Sequence, residues 1–390
     1  MNLMIPNNQI ILLQNGAAYF PAIKAAIDRA KHEIYLESYI FENDNTGRCI
    51  SEALRRAALR GVKTHVLIDG FGSNSLPKSL IDSLKSAGVM VMKFRPKISP
   101  WTLRRHRLRR LHRKILIVDQ ELAFVGGINI KDDTDATGQT SCYDCAVSVA
   151  GPLVEMIRHS SRRLWSRLAW THVRSYWDRE DVRPIFSTEH RGHMRSAFLI
   201  RDNIRHRRTI ENAYLQMIEQ AQFEIILANA YFLPGSNFRH ALLDAAERGV
   251  RVILLLQGVV EYRLLHYAAL ALRGRFLDAG IEIYEYHKGI LHAKVAVIDD
   301  HWATVGSSNL DPFSLLLALE ANVVVDDEKF AETLKHSLEM AIHIGAQRIL
   351  QRNWRTQPIC LRLLSWLSYG LVRFMIGIAG YAPGKHSIHE

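Results

Sequence analysis

Residues 112–129 read "HRKILIVDQELAFVGGIN" and residues 292–309 read "HAKVAVIDDHWATVGSSN". Both carry His-x-Lys-x4-Asp, and both follow it with a glycine and an asparagine at the same distances. The differences 292 − 112, 306 − 126 and 309 − 129 all equal 180, so the blocks superimpose without a gap. One short pattern of this kind arises by chance; two copies with identical downstream spacing carry far more weight. The chain reads as one unit written twice.

The repeat extends outward from these blocks. "AKHEIYLESYIF" from Ala30 matches "AQFEIILANAYF" from Ala221. "RGVK" at 60–63 precedes "THVLIDG", and "RGVR" at 248–251 precedes "VILLLQG". "LKSAGVMVMKF" from Leu84 resembles "FLDAGIEIYEY" from Phe276. Strand-length β-branched runs alternate with helical stretches such as "SEALRRAALR" and "HALLDAAER". The expected fold class is α/β: two tandem halves, each a mixed sheet flanked by helices. The expected divisions are 1–157 and 196–345 for the halves, 158–195 for a basic connecting segment and 346–390 for a C-terminal tail.

Parity sorts the side chains, because residues two apart on a strand share a face. His112 and Lys114 point one way, as do His292 and Lys294. Asp119 and Asp299 fall on the other parity, which gives them a supporting role although the pattern counts them with the catalytic set. Gly126 and Gly306 suit close backbone approach, after which Asn129 and Asn309 aim amides toward whatever His and Lys hold. Downstream, "YDCAVSVAGP" from Tyr143 matches "LEANVVVDDE" from Leu319, pairing Asp144 with Glu320. Each half thus ends in one acid able to orient a histidine.

Two histidines, two lysines and two asparagines brought together would form a cationic cradle for one phosphate. One histidine can attack phosphorus as a nucleophile while the other protonates the departing alcohol. Imidazole, with an ordinary pKa of about 6.5, serves either role. No metal and no cofactor is required. The acids Asp132, Asp133 and Asp135 in "KDDTDATGQT" read as a polar loop in preference to a magnesium site.

Composition narrows the partners. The 390 residues hold 50 Lys+Arg against 39 Asp+Glu, a net charge of +11, which favours an anionic partner without choosing among nucleic acid, phosphorylated ligands and a lipid surface. Cys49, Cys142, Cys145 and Cys360 imply no disulfide framework and fit a reducing compartment. The N-terminus has no evident signal peptide, and no run of about 18 apolar residues occurs.

The doubled motif resembles the signature of the phospholipase D superfamily. "NGAAYFPAIKAAI", "LHRKILIVD", "GGIN", "LANAYFLPG" and "LHAKVAVIDDHWATVGSSNLDPFSLLLALEANV" are similar to its bacterial cardiolipin synthases, in the form lacking two N-terminal membrane spans. The likeness runs from about Asn15 to Val325. It implies a pseudo-two-fold axis and one shared active site, with His112 as nucleophile and His292 as acid and base. It implies that each acid supports the histidine of the opposite half, Glu320 with His112 and Asp144 with His292. The implied activity transfers a phosphatidyl group between two phosphatidylglycerols, forming cardiolipin. A phospholipid hydrolase, a nuclease and a non-catalytic nucleic-acid-binding protein are the alternatives. One departure stands out: Gly127 occupies the place of Ser307, so a hydroxyl donor comes from one side only.

A lipid substrate requires membrane contact, and no nucleic acid is then expected. Arg158–Arg183 interleaves arginines with Trp165, Trp170 and Trp177, suiting either an anionic interface or a solvated helix between halves. In "LRLLSWLSYGLVRFMIGIAGY" from Leu361, Arg362, Tyr369 and Arg373 share a stripe. That helix would lie in an interface or pack on the protein itself. The run "RRHRLRR" at 104–110 leads into His112, placing its charge at the mouth of the site. The expected location is peripheral, on the cytoplasmic side of the inner membrane.

Overall fold

The computed structural model describes residues 4–95, 109–133, 142–171, 191–202, 205–260, 262–311, 318–355 and 358–378. In the first half the strands are β1 (Ile5–Gln14), β2 (Glu33–Ser38), β3 (Lys63–Asp69), β4 (Met90–Phe94), β5 (Arg110–Leu111), β6 (Lys114–Val118), β7 (Leu122–Gly126), β8 (Cys142–Tyr143) and β9 (Cys145–Ala150). Its helices are α1 (Asn15–Arg29), α2 (Asn45–Leu59), α3 (Lys78–Ser86) and α4 (Leu153–Thr171). The second half repeats the series with β10 (Met194–Arg201), β11 (Glu224–Asn229), β12 (Arg251–Gln257), β13 (Glu282–Tyr286), β14 (Ile290–Leu291), β15 (Lys294–Ile298), β16 (Trp302–Gly306) and β17 (Ala318–Asp326). Its helices are α5 (Thr209–Gln220), α6 (Ser236–Glu247), α7 (Arg263–Asp278) and α8 (Glu328–Gly345). β18 (Ala346–Arg348), α9 (Gln351–Arg355) and α10 (Ile359–Ile378) follow.

Local signals explain the helix ends. Asp44 accepts from the amide of Gly47 at the start of α2, and Asp327 accepts from Phe330 at the start of α8, caps worth about 1 kcal/mol each. Gly61 and Gly249 close α2 and α6 at φ of 89° and 92°, the left-handed turn that side chains resist.

Strands from both halves join one mixed sheet in the order β18-β13-β12-β11-β15-β16-β17-β10-β1-β9-β7-β6-β2-β3-β4. β1 and β10 pair antiparallel at its middle, so each half lays down the same strand sequence outward from that seam. Within each half β2-β3-β4 and β11-β12-β13 are parallel and the remainder antiparallel. A shared core lies on one face, built from Ile115, Val125 and Val147 of the first half with Val295, Val305 and Val323 of the second, under α4 and α8. The other face buries two separate cores, one per half.

Residues 158–171, expected in a connecting segment, instead continue α4. Arg158 there pairs with Glu33 and Glu155, and Trp165 is buried edge-on to His65, whereas Trp170 is exposed. Trp177 lies outside the described residues. The expected tail begins with β18, which extends the sheet against β13, and α10 then packs along α7.

Candidate active site

Two short strands bring the halves together chemically. β5, just before His112, pairs with the start of β17; β14, just before His292, pairs with β8. The amide of His112 donates to the carbonyl of Leu319 (3.0 Å) and that of His292 to Tyr143 (2.8 Å). Each histidine is therefore pinned beside the residue preceding the other half's acid. Glu320 accepts from Nδ1 of His112 at 3.0 Å, and Asp144 accepts from Nδ1 of His292 at 2.6 Å. A carboxylate on Nδ1 fixes that nitrogen as the protonated one and leaves Nε2 with a lone pair.

Both imidazoles line one cavity of about 510 Å³, together with Asn129, Asn309 and Asp144. Burial pushes the His112 imidazole below its usual range although Glu320 pulls the other way. Burial and the Lys294 ammonium push His292 down to about 3, against the pull of Asp144. Burial works to raise the Asp144 carboxyl, but Lys294 and His292 hold it below the usual carboxylate range. Both imidazoles are thus neutral at neutral pH, the form able to attack or to take a proton.

The lysines sit lower than expected. Lys114 and Lys294 are buried and absent from the cavity wall; each ammonium donates to the carbonyl of its own histidine, Lys114 at 2.8 Å. Burial pushes Lys114 down to about 7, with Lys294 adding to the shift. Lys114 also lies 5.2 Å from the centre of the Tyr39 ring. The residue between His and Lys faces away, as parity requires: Arg113 pairs with Glu37 at 2.8 Å and reaches Ser160 and Ser161 on α4.

Asp119 and Asp299, grouped by the pattern with the catalytic set, do not line this cavity. Asp119 accepts from the amides of Lys31, His32 and Glu33, and Asp299 from Gln222, Phe223 and Glu224. Both stand at positive φ in the turn after the catalytic strand, tying it to the start of β2 or β11.

The Gly127/Ser307 difference belongs to the acids. A Cβ on Gly127 would lie 2.2 Å from Oδ1 of Asp144, so the short acid needs a glycine behind it. Ser307 instead donates to Glu320 at 2.5 Å; it does not reach the cavity wall. Gly126 and Gly306 each face a neighbouring strand too closely for a side chain.

Asn129 accepts from the amide of Ile40 through Oδ1, leaving its NH2 for the cavity. Asp132 accepts from the amide of Thr46 and Asp133 from that of Gly16, so both carboxylates hold helix starts; Asp135 lies outside the described residues. Among the described residues no group of three or more His, Cys, Asp or Glu side chains is arranged for a metal ion. Arg110 lines the cavity, and residues 104–108 lie outside the described ones. Tyr39, Tyr231, Tyr262 and Asp311 also line it. Sequence reasoning missed these four; the first two follow the doubled β2/β11 strand, where an aromatic tail was visible.

Residues 23–166 and 214–342 match the family described as cardiolipin synthase, PLD-like domain. The chain belongs to this family. It is 38% identical over 387 residues to cardiolipin synthase B of Shigella flexneri, covering 96% of this chain and 90% of that protein. It is 31% identical to cardiolipin synthase A of Pseudomonas putida, over 93% of this chain and 75% of that one. The fold is shared with phosphatidylserine synthase of Haemophilus influenzae Rd KW20, at TM-score 0.71 and 13% identity, covering 97% of each chain. In this phospholipase D-type family the expected two-half α/β architecture is established for the chain.

Proposed function

We propose that this family member is a cardiolipin synthase that moves a phosphatidyl group from one phosphatidylglycerol to another, releasing glycerol. The observation that carries the reading is two imidazoles on one cavity, each backed by a carboxylate from the opposite half. Nε2 of His112 attacks phosphorus, and the bond to the glycerol oxygen breaks as that oxygen takes a proton that His292 has first picked up from solvent on Nε2. The second phosphatidylglycerol then loses its hydroxyl proton to His292. Its oxygen attacks phosphorus, and the bond to His112 breaks. Asn129, Asn309 and the buried ammonium groups of Lys114 and Lys294 oppose the negative charge on phosphorus. The assignment of nucleophile to His112 and acid/base to His292 follows the family resemblance.

The access route proposed is an anionic membrane surface, with the protein peripheral on the cytoplasmic face of the inner membrane. Ser365, Ser368 and Val372 turn α10 inward, while Ile359, Leu363, Leu367, Leu371 and Phe374 are exposed. Exposed apolar side chains beside Arg362 and Arg373 suit a helix lying in an interface. No described helix is long and apolar enough to cross a membrane.

The test is product analysis of purified protein with phosphatidylglycerol vesicles, by mass spectrometry, beside His112→Ala. Cardiolipin from the parent and none from the variant is expected; normal turnover by the variant sinks the mechanism. Parallel incubation with DNA separates the nuclease alternative.

A further inference from the structure

The two halves differ where their repeat should match. Ser38 pairs with Ile68 across β2 and β3, and Asn229 pairs with Leu256 across β11 and β12. The next residues along the chain are Tyr39, just past β2, and Asp69 in the first half, but Ala230, just past β11, and Gln257 in the second. The Tyr39 ring stands 4.8 Å from the His112 ring, edge to face. Ala230 stands at the corresponding place in the second half, where a recess of about 50 Å³ opens.

Asp69 and Gln257 perform one shared task. Asp69 accepts from the amide of Leu111 (2.8 Å) and Gln257 accepts from Leu291 (3.1 Å), each holding the residue before a catalytic histidine. The spare Asp69 oxygen is filled by the amides of Phe71 and Gly72. The spare Gln257 group is different. Its Nε2 is buried, lines the recess and has no hydrogen-bond partner. Arg273, also buried and lining the recess, pairs with Glu285 at 2.5 Å through its terminal nitrogen while its Nε has no partner. Two buried, orphaned donors on the wall of one recess call for an acceptor from outside the chain.

The recess shares Tyr231, Tyr262, Leu265 and Asp311 with the catalytic cavity, so the two spaces adjoin. Its volume admits roughly three or four water-sized groups. That suits the distal carbon and hydroxyl of a glycerol head and is too small for an acyl chain.

We propose that this recess is the subsite for the polyol alcohol that leaves or enters beside His292, with Gln257 and Arg273 donating to its far hydroxyl. The inference rests on the transferase reading and adds to it an asymmetry: the polyol is recognised in the second half only. Water lacks the far hydroxyl. The recess therefore favours transfer to a glycerol-bearing acceptor over hydrolysis of the phosphatidyl-histidine.

The test measures cardiolipin and phosphatidic acid formed together by the full-length protein on phosphatidylglycerol vesicles. Gln257→Glu keeps an oxygen for the Leu291 amide but removes the donor; Ala230→Tyr fills the recess with the first half's residue. Each variant should lower the ratio of transfer to hydrolysis by about tenfold, the worth of one buried hydrogen bond. An unaltered ratio in both overturns the subsite. A measurement on the unmutated protein decides the matter should the variants not fold. With deuterated glycerol and propan-1-ol at equal concentration, label should enter phosphatidylglycerol about tenfold more than phosphatidylpropanol forms. Equal capture also overturns the subsite. Protein that makes neither cardiolipin nor phosphatidic acid defeats the transferase reading itself.

Discussion

Nδ1 of His292 lies 2.6 Å from the Asp144 carboxylate, although 148 positions separate them in the chain. The reciprocal pair, His112 and Glu320, spans 208 positions at 3.0 Å. Neither half holds a complete set: each contributes a histidine to its own wall and an acid to its partner's. Removing the charge while keeping the shape, by Asp144→Asn or Glu320→Gln, should cut turnover by roughly 10²–10⁴, because the imidazole loses its fixed tautomer. Steady-state assay on phosphatidylglycerol checks this, and a loss under tenfold in both would refute an orienting role.

Gly127→Ala should act through Asp144 alone. The added carbon would meet Oδ1 at 2.2 Å, pushing the carboxylate off His292. Turnover should drop on the order of a hundredfold while the folded state persists. Ser307→Ala removes the hydroxyl donated to Glu320 and should cost about tenfold or less. The ranking of these two small substitutions is the discriminating result.

Lys114 couples activity and stability in opposite senses. Its ammonium, pushed down to about 7 by burial, is charged below that pH and neutral above it. With the charge needed to oppose the phosphate, kcat/KM should fall as pH rises through about 7. Stability runs the other way. Between about 7 and the ordinary lysine value of 10.4 the unfolded chain binds the extra proton, so this residue's contribution to stability grows with rising pH. Lys114→Met should abolish turnover yet raise the thermal midpoint at pH 7. Thermal scans across pH, with and without the substitution, test both signs.

Asp119 offers the contrasting case. Its carboxylate caps three backbone amides, so Asp119→Ala should destabilise the protein by about 1–3 kcal/mol. The folded fraction should keep its turnover. Selective loss of turnover with an unchanged unfolding midpoint would reverse this assignment.

The exposed side of α10 predicts membrane dependence. Replacing Leu363, Leu367 and Phe374 together by Gln should weaken co-sedimentation with phosphatidylglycerol vesicles by about tenfold or more. Binding equal to that of the parent protein would exclude α10 as the attachment surface.

Much of this was written in the chain order itself. The doubled blocks announced two equivalent halves, because identical spacing demands identical strand and turn lengths. Strand parity separated His112 and Lys114 from Asp119. The family resemblance supplied the crossed acids. Parity could not show how deep each side chain lies, however. Lys114 and His112 share a face, yet the ammonium bends beneath the histidine carbonyl, a choice made by the packing of Tyr39 and the surrounding sheet. The role of Gly127 was likewise invisible, since it is set by a carboxylate seventeen residues away that approaches only after β7 and β9 pair.

Sequence alone determined the repeat, the alternation of strand and helix, and the residue types that meet phosphate, because these depend on local period and spacing. Only the tertiary structure decided that β1 and β10 fuse the halves into one sheet, that β8 and β5 each cross to the other half, and that a recess opens beside Ala230 in the second half. Those outcomes depend on contacts between distant segments, where the volume of one residue, tyrosine or alanine, decides whether space is filled or left for a ligand.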